Sequence, residues 1–558
     1  LSALPTATTG VNYVVEGTTT GTTSASSETF HYGDGTSSTV ASPTNPQAAT
    51  HAYSPPTTPY TYTPTASLTP SGGTAISEPL TLDSRFGSSP TYSGKELVNS
   101  YGNTSASNGG TAMTVDSAGN IYVVAPYDQT TTTAQFALTR FTSTGALDTT
   151  FNTTGTATIS FDSGKDVPVA VAIDNSGNIV VAGNCSTGFA VARFLSTGSK
   201  DTYFGPNLNG TFSNFQSGTC TGMIVDTNDN IVLSGSTGSS GFVAVRVTNT
   251  GAVDATFGTS GVKAVSFPCS SSATATCIVQ ENFGSDDYIL GGVSCNTSYN
   301  QTVFALAALS DGNGALDTTG FGSSGLVQTR FSSCSGASAV AYALVSDGTN
   351  DRIIAAGEAS SGGGNAFGIA VYTSSGAPDT TFNSTGLKMV GIGTGAIAYG
   401  VDLQSDGQIV AAGYATGAGG FTGTGNDFAV VRMSGSSGAL DSNFGSSGIA
   451  VTDFAAGSDT AYGVKFDYND NEIVAGGNGG GKMAIARYLA DNYVTVNAAG
   501  GFAPGLATRK NAVATNPLAA TAVAPTLANN AVAVDPLDSL DPTAATGAGD
   551  ILSAALGR

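Results

Sequence analysis

The sequence has no tryptophan, only two histidines and few charges: 10% of its 558 residues are Asp, Glu, Lys or Arg. An ordinary soluble chain carries roughly 25%. The scarcer sign is positive, 18 Lys and Arg against 39 Asp and Glu, for a formal net charge of −21. Such a chain is repelled by polyanionic duplexes and anionic bilayers, so nucleic acid is not expected as a partner. Long apolar runs are missing too. None reaches the roughly 18 residues that a membrane-spanning helix needs, so membrane insertion is not expected. The six cysteines include no Cys-x-x-Cys pair, and two histidines leave no partners for a zinc site. With so little histidine and no tryptophan, sugar chemistry is poorly equipped. Nothing marks a nucleophile with its base, so we expect no enzyme and no catalytic residue.

Glycine (75 residues), threonine, serine and alanine fill the space that charge leaves. A surface of hydroxyls and amides with little lysine suits an exported protein. The chain opens on Leu1, from which we expect a mature product whose signal peptide has been removed. Extracellular space or the surface of a bacterium is the expected location. Repulsion between copies is diluted over the long chain and does not prevent self-association.

One phrase recurs along the chain: "TVDSAGNIYVVA" (114–125), "AIDNSGNIVVAG" (172–183), "KFDYNDNEIVAGG" (465–477). Two apolar runs flanking an Asp/Asn/Gly turn predict a β-hairpin. The phrase occurs seven times, from near Met113 to near Val464. A third apolar segment follows each copy, from "FALTRF" (136–141) and "FAVARF" (189–194) to "MAIARY" (483–488). "TATISF" (156–161) typifies a fourth. An acidic-aromatic phrase recurs at Asp83, Asp148, Asp201, Asp254, Asp317, Asp379 and Asp441, at spacings of 53 to 65 residues. Four strands at that period predict a β-propeller blade. The array begins with the end of a unit, "LDSRFG" (82–87) and "KELVNSY" (95–101), and finishes on the beginning of one. Strand 95–101 is therefore expected to pair with 483–488 and close a ring of seven blades over 81–490, which removes the sheet edges.

The unit "LDxxFG…GxxxxxF…AVxxDxxGNIVVAG…FAVARFxxxGxLD" resembles the delta-60 repeat of bacterial exported proteins, a resemblance that implies propellers. The fourth copy departs from it, with "ENFGSDDYIL" at the turn and one extra residue in "LDTTGFG".

Arg140, Arg193, Arg246, Arg432 and Arg487 occupy one slot in five units; Ala308 and Val371 fill it in the fourth and fifth. A ring of cations binding an anion is one reading. The favoured one is structural, because the same repeat supplies a carboxylate for every guanidinium: Asp83, Asp148, Asp201, Asp254 and Asp441 are the expected partners. Asp116, Asp174, Asp226 and Asp467, in the hairpin turns, could be read as calcium ligands. One short turn offers too few oxygens for calcium, so no cofactor is expected. The phenylalanine of each acidic-aromatic phrase is expected to pack between blades.

The cysteines are Cys185, Cys220, Cys269, Cys277, Cys295 and Cys334. Cys185 and Cys295 follow equivalent strands, and Cys220 and Cys334 each follow a fourth strand. Repeat equivalence thus pairs Cys185 with Cys220 and Cys295 with Cys334, leaving Cys269 with Cys277. An even count fits an oxidising compartment.

Residues 1–80 differ in character. "FHYGDGTSST" (30–39) and "THAY" (50–53) resemble the PKD family of immunoglobulin-like sandwiches, with His31, Gly33, Asp34, Gly35, His51 and Tyr53 at the matching positions. The resemblance implies a spacer or adhesion module. Residues 491–558, rich in Ala and Pro, read either as a disordered linker or, the favoured reading, as an extended C-terminal arm whose "AVAV" segments could add strands to a neighbour.

The expected fold is thus all-β: a small β-sandwich (1–80), a seven-bladed β-propeller (81–490) and an arm (491–558). The expected function is an exported structural or adhesive protein, a self-assembling homo-oligomeric subunit of a surface layer or filament. A carbohydrate-binding propeller with glycans as partners is the alternative, and a polysaccharide-active enzyme comes after it.

Overall fold

The computed structural model describes residues 109–490 except 128–132, 214, 238–240, 269–272, 282, 284–286, 297–300, 332–336, 361–363, 418–424 and 455–456. It also describes 82–83, 86–87 and 94–98, and, as backbone strands only, segments between residues 2 and 79 and residues 494–496.

Each unit folds as a four-stranded antiparallel sheet in sequential order, and there are seven. Blade 1 spans 112–159, blade 2 167–213, blade 3 219–265, blade 4 274–329, blade 5 339–390 and blade 6 395–452. Blade 7 takes three strands from 459–489 and its fourth, Lys95–Val98, from the other end of the array. That strand runs antiparallel to Lys482–Leu489, with Ala486 opposite Lys95 and Met483 opposite Val98. The first strands of successive blades touch one another all the way round, blade 7 against blade 1 included. They line the axis, and the fourth strands form the rim. The chain is a seven-bladed propeller closed by its own N-terminal side.

The sequence pattern explains the layering. Second and third strands are apolar on both faces, as in "IVVAG" and "FAVAR", because each blade is packed on both sides. The resulting cores lie between blades; one joins Val181, Ala190 and Phe194 of blade 2 to Val124, Phe136 and Leu138 of blade 1. Six of the first strands carry a β-bulge after their second, third or fourth pair, between Pro168 and Ala170 in blade 2 and between Ala341 and Ala343 in blade 5, for example. A bulge turns the extra side chain out of the ladder, here at the strand that faces the channel.

Backbone pairing in residues 2–79 gives a three-stranded sheet (Ser2–Pro5, Val11–Gly17, Gln47–Tyr53) and a four-stranded one (Ala25–His31, Ser37–Ala41, Thr65–Pro70, Ile76–Pro79). The side chains on which the PKD resemblance rests lie outside the described residues. Of the arm, Val494–Val496 is described, antiparallel to Tyr60–Tyr62 of the same chain; residues 497–558 lie outside.

Candidate functional site

A propeller has two ends, and here they are built differently. The hairpin turns and the acidic-aromatic loops share one end. There, Asp116 Oδ1 accepts the backbone N–H groups of Ala118 and Asn120, while Oδ2 accepts the Asn120 side chain and the Tyr122 hydroxyl. Asp174 and Asp226 do the same within their own turns. These carboxylates close turns and have little left to offer an ion.

The repeated arginines stand at this end too. The structure joins Arg140 to Asp148, Arg193 to Asp201 and Arg487 to Asp83 at 2.7 Å, Arg246 to Asp254 at 2.8 Å and Arg432 to Asp441 at 2.9 Å. Each guanidinium lies 4.7–5.0 Å over the ring of its own loop, Phe151, Phe204, Phe86, Phe257 and Phe444 respectively. Four of them also reach the next blade: Arg140 donates to the Ser196 carbonyl, Arg193 to Asn249, Arg246 to Asp311 and Arg487 to Ser143. The last bond runs from blade 7 to blade 1. Four of these phenylalanines, Phe86, Phe151, Phe204 and Phe257, press against a glycine of the following blade; a methyl group on Gly145 would come within 2.7 Å of Phe86. At this end the guanidinium groups are engaged in clamps, four of which tie one blade to the next.

Blade 5, with Val371 in the slot, makes its clamp another way. Arg352, at the start of its second strand, pairs with Asp347 at 2.6 Å and Asp379 at 3.5 Å and donates to Gly435 of blade 6. A cleft of about 1020 Å³ opens beside it, and the clamp residues Arg352, Asp379 and Asp441 are part of its wall.

Two expected disulfides are not formed: Cys185, Cys220 and Cys277 are free and buried. Cys220 comes after the fourth strand of blade 2 in the chain but does not belong to the loop that follows it. It lies inside the first strand of blade 3, Thr219–Val225. Cys185 points into the layer between blades 1 and 2, Cys220 into the layer between blades 2 and 3. Cys277 is on the first strand of blade 4, its thiol beside Thr276 and Gly291. Burial pushes the Cys220 and Cys277 thiols up to about 12. Cys295 is disulfide-bonded. Cys269 and Cys334 lie outside the described residues.

The other end of the channel holds a group that sequence reasoning passed over. The bulged residues of three consecutive first strands are Tyr342, Tyr399 and Tyr462. Their rings meet with Tyr399 in the middle, 4.9 Å from Tyr342 and 5.2 Å from Tyr462, and Tyr414 joins it at 6.2 Å. All are half-buried or exposed; Tyr462 keeps 38% of its surface. Glu358, half-buried on the second strand of blade 5, lies opposite Val340, two residues before Tyr342, and Ser338 donates its hydroxyl to it at 3.4 Å. Burial, then the Glu358 charge, pushes the Tyr342 and Tyr414 hydroxyls above their ordinary range, and Tyr399 rises by burial and its neighbours. Burial also raises the Glu358 carboxyl. The phenols therefore stay neutral; they can stack and donate hydrogen bonds but are poor bases. In blades 3 and 4 the same bulge carries Thr221 and Thr276, each donating to the inner-strand carbonyl of the next blade. The signal in the sequence was "AYALV" (341–345), "AYGVD" (398–402) and "AYGVK" (461–465).

Among the described residues, one trio of acids has the spacing of metal ligands: Asp427, Asp453 and Asp459, with oxygens within 4.8 Å of one another. Lys95 brings a positive charge to it, its Nζ donating to the Asp453 carbonyl. No helix among these residues is long and apolar enough to cross a membrane.

No curated protein matches the chain. Solved structures resemble it at low identity. Sqt1 of Chaetomium thermophilum is 9% identical with a TM-score of 0.37, covering 71% of this chain and 98% of its own. A protein from Lactobacillus plantarum is 12% identical at 0.37, covering 70% and 95%. An ulvan lyase, described as a new family of polysaccharide lyase, is 12% identical at 0.36, covering 72% and 98%. Likeness at that level carries no argument about function. The family described as a domain of unknown function (DUF5122) beta-propeller matches residues 175–204, 349–382 and 404–444, which are parts of blades 2, 5 and 6.

Proposed function

We propose that the chain is an exported, non-catalytic adhesive protein whose propeller binds carbohydrate at the tyrosine-lined end of its channel. One observation carries this: four tyrosines from three blades converge with a carboxylate at the end of the ring that the arginine clamps leave free. Aromatic faces beside a few placed polar groups are what a binding site for an amphipathic small molecule consists of. The raised phenols and the single carboxylate favour binding over proton transfer. The test is retention of the full chain on a panel of immobilised polysaccharides. Retention that is lost on Tyr342→Ala and Tyr399→Ala supports the reading; a chain retained on none of them overturns it.

A second reading, a subunit of a surface layer or filament, is favoured by the pairing of Val494–Val496 with Tyr60–Tyr62. Made between copies instead of within one, that pairing would join subunits by strand exchange. Electron microscopy of the native protein tests it. Polymers that vanish on truncation after residue 490 support it, and a truncated chain that still polymerises refutes it.

A further inference from the structure

We infer that the tyrosine cup takes a ligand carrying a positively charged amine. The inference rests on the reading of that cup as the binding site and narrows its chemistry. Tyr342, Tyr399 and Tyr462 come from three inner strands and Tyr414 from a second strand, so the cup is held by three rigid sheets. The rings do not lie in one plane. Tyr399 is tilted by 53° to Tyr342, 44° to Tyr462 and 37° to Tyr414. A flat sugar ring stacks on one open aromatic face. Rings tilted against one another offer no single flat platform but several faces and edges, which suits a compact rounded group.

Charge decides which group. An aromatic face is negative at its centre and attracts a cation, more strongly once water is excluded. Glu358 adds a carboxylate on the strand paired with that of Tyr342, opposite Val340. Among the described residues it forms no ion pair, in contrast to the clamp aspartates at the other end. Its hydrogen bond to Ser338 is long, at 3.4 Å. A half-buried carboxylate without a counter-ion, walled by neutral phenols, is half of an ion pair whose other half is an ammonium group. The net charge of −21 draws cations to the chain as a whole. An amino sugar of a polysaccharide and a free alkylammonium share this chemistry.

The experiment titrates the full-length protein calorimetrically with two matched pairs: choline against its neutral isostere 3,3-dimethyl-1-butanol, and glucosamine against N-acetylglucosamine. Each charged member is expected to bind about ten-fold or more tightly than its neutral partner. Glu358→Gln, which keeps size and hydrogen bonding, should abolish that preference, and Tyr399→Phe should keep it. Equal binding within both pairs, no binding of either cation, or an undiminished preference in Glu358→Gln overturns the inference. If glucosamine and N-acetylglucosamine bind alike and choline binds no better than its isostere, the charge assignment falls while carbohydrate binding stands. If choline binds and no sugar does, carbohydrate binding falls and the charge assignment stands.

Discussion

Replacing Arg487 with methionine tests whether the clamps hold the ring shut. The guanidinium is 3% exposed, pairs with Asp83 at 2.7 Å, donates to the Ser143 carbonyl of blade 1 and covers the Phe86 ring at 5.0 Å. Asp83 is itself 2% exposed. Methionine keeps the stem packing but removes the cation that the buried Asp83 shares with the more exposed Asp470. Breaking a buried pair from one side costs about 3–5 kcal/mol, and the lost contact with the ring adds about 0.5–2 kcal/mol. The equivalent Arg140→Met, where both partners keep about 15% exposure, should cost about 1–2 kcal/mol. Equilibrium unfolding in guanidinium chloride, followed by circular dichroism, compares the two. The double variant Arg487→Met with Asp83→Leu is the control, because replacing both members of a buried pair by apolar residues is often neutral. It should recover most of the loss. The reasoning fails if Arg487→Met is no worse than Arg140→Met, or if the double variant is as unstable as the single one.

Three further outcomes can be checked. Burial beside Asp453 and Asp459 holds the Asp427 carboxyl up at about 6, so its contribution is present at acid pH and is lost as pH rises from the ordinary carboxylate range through about 6. Asp427→Asn should flatten that fall and stabilise the protein at pH 7 by about 2 kcal/mol, read from unfolding curves at pH 4 and 7. Alkylation in denaturant without reductant should label Cys185, Cys220 and Cys277 by mass spectrometry, and a peptide cross-linking Cys185 to Cys220 would contradict the structure. Deleting residues 1–98 should expose the Lys482–Leu489 edge and give a protein that aggregates in light scattering, whereas a stable monomer would show that closure by Lys95–Val98 is dispensable.

Much of the ring was legible because a blade is written locally. Asp-x-x-Gly-Asn turns, alternating apolar strands and one acidic-aromatic loop recur, and the half-units at the ends reveal how the circle closes. The arginine pairs were legible for the same reason: Arg193 and Asp201 sit in one unit, eight residues apart. What failed was inference by position along a loop. Cys220 and Cys334 both come after a fourth-strand phrase, but only the strand boundaries show that Cys220 already belongs to the next blade. In blade 5 the clamp comes from Arg352, on the adjacent strand, since a long side chain can serve one loop from either member of a hairpin. The tyrosines were hidden by distance. They stand 57 and 63 residues apart, each reads as an ordinary strand residue, and only the circle brings them together.

The two halves of the channel also say what the tyrosines are for. At the bulge, Thr221 and Thr276 each tie their blade to the next through a hydroxyl. Tyrosine at the equivalent site cannot make that short bond, so blades 5 to 7 forgo ties of about 0.5–1.5 kcal/mol each. Contacts among the rings, about 0.5–1.5 kcal/mol per pair, offset the loss. On that balance stability does not require tyrosine there, and threonine would serve. The triple variant Tyr342→Thr, Tyr399→Thr, Tyr462→Thr should therefore fold within about 2 kcal/mol of the parent and lose the binding of charged amines. A variant that fails to fold would instead mean that the rings are packing that the ring cannot do without, and the cup would lose its standing as a site.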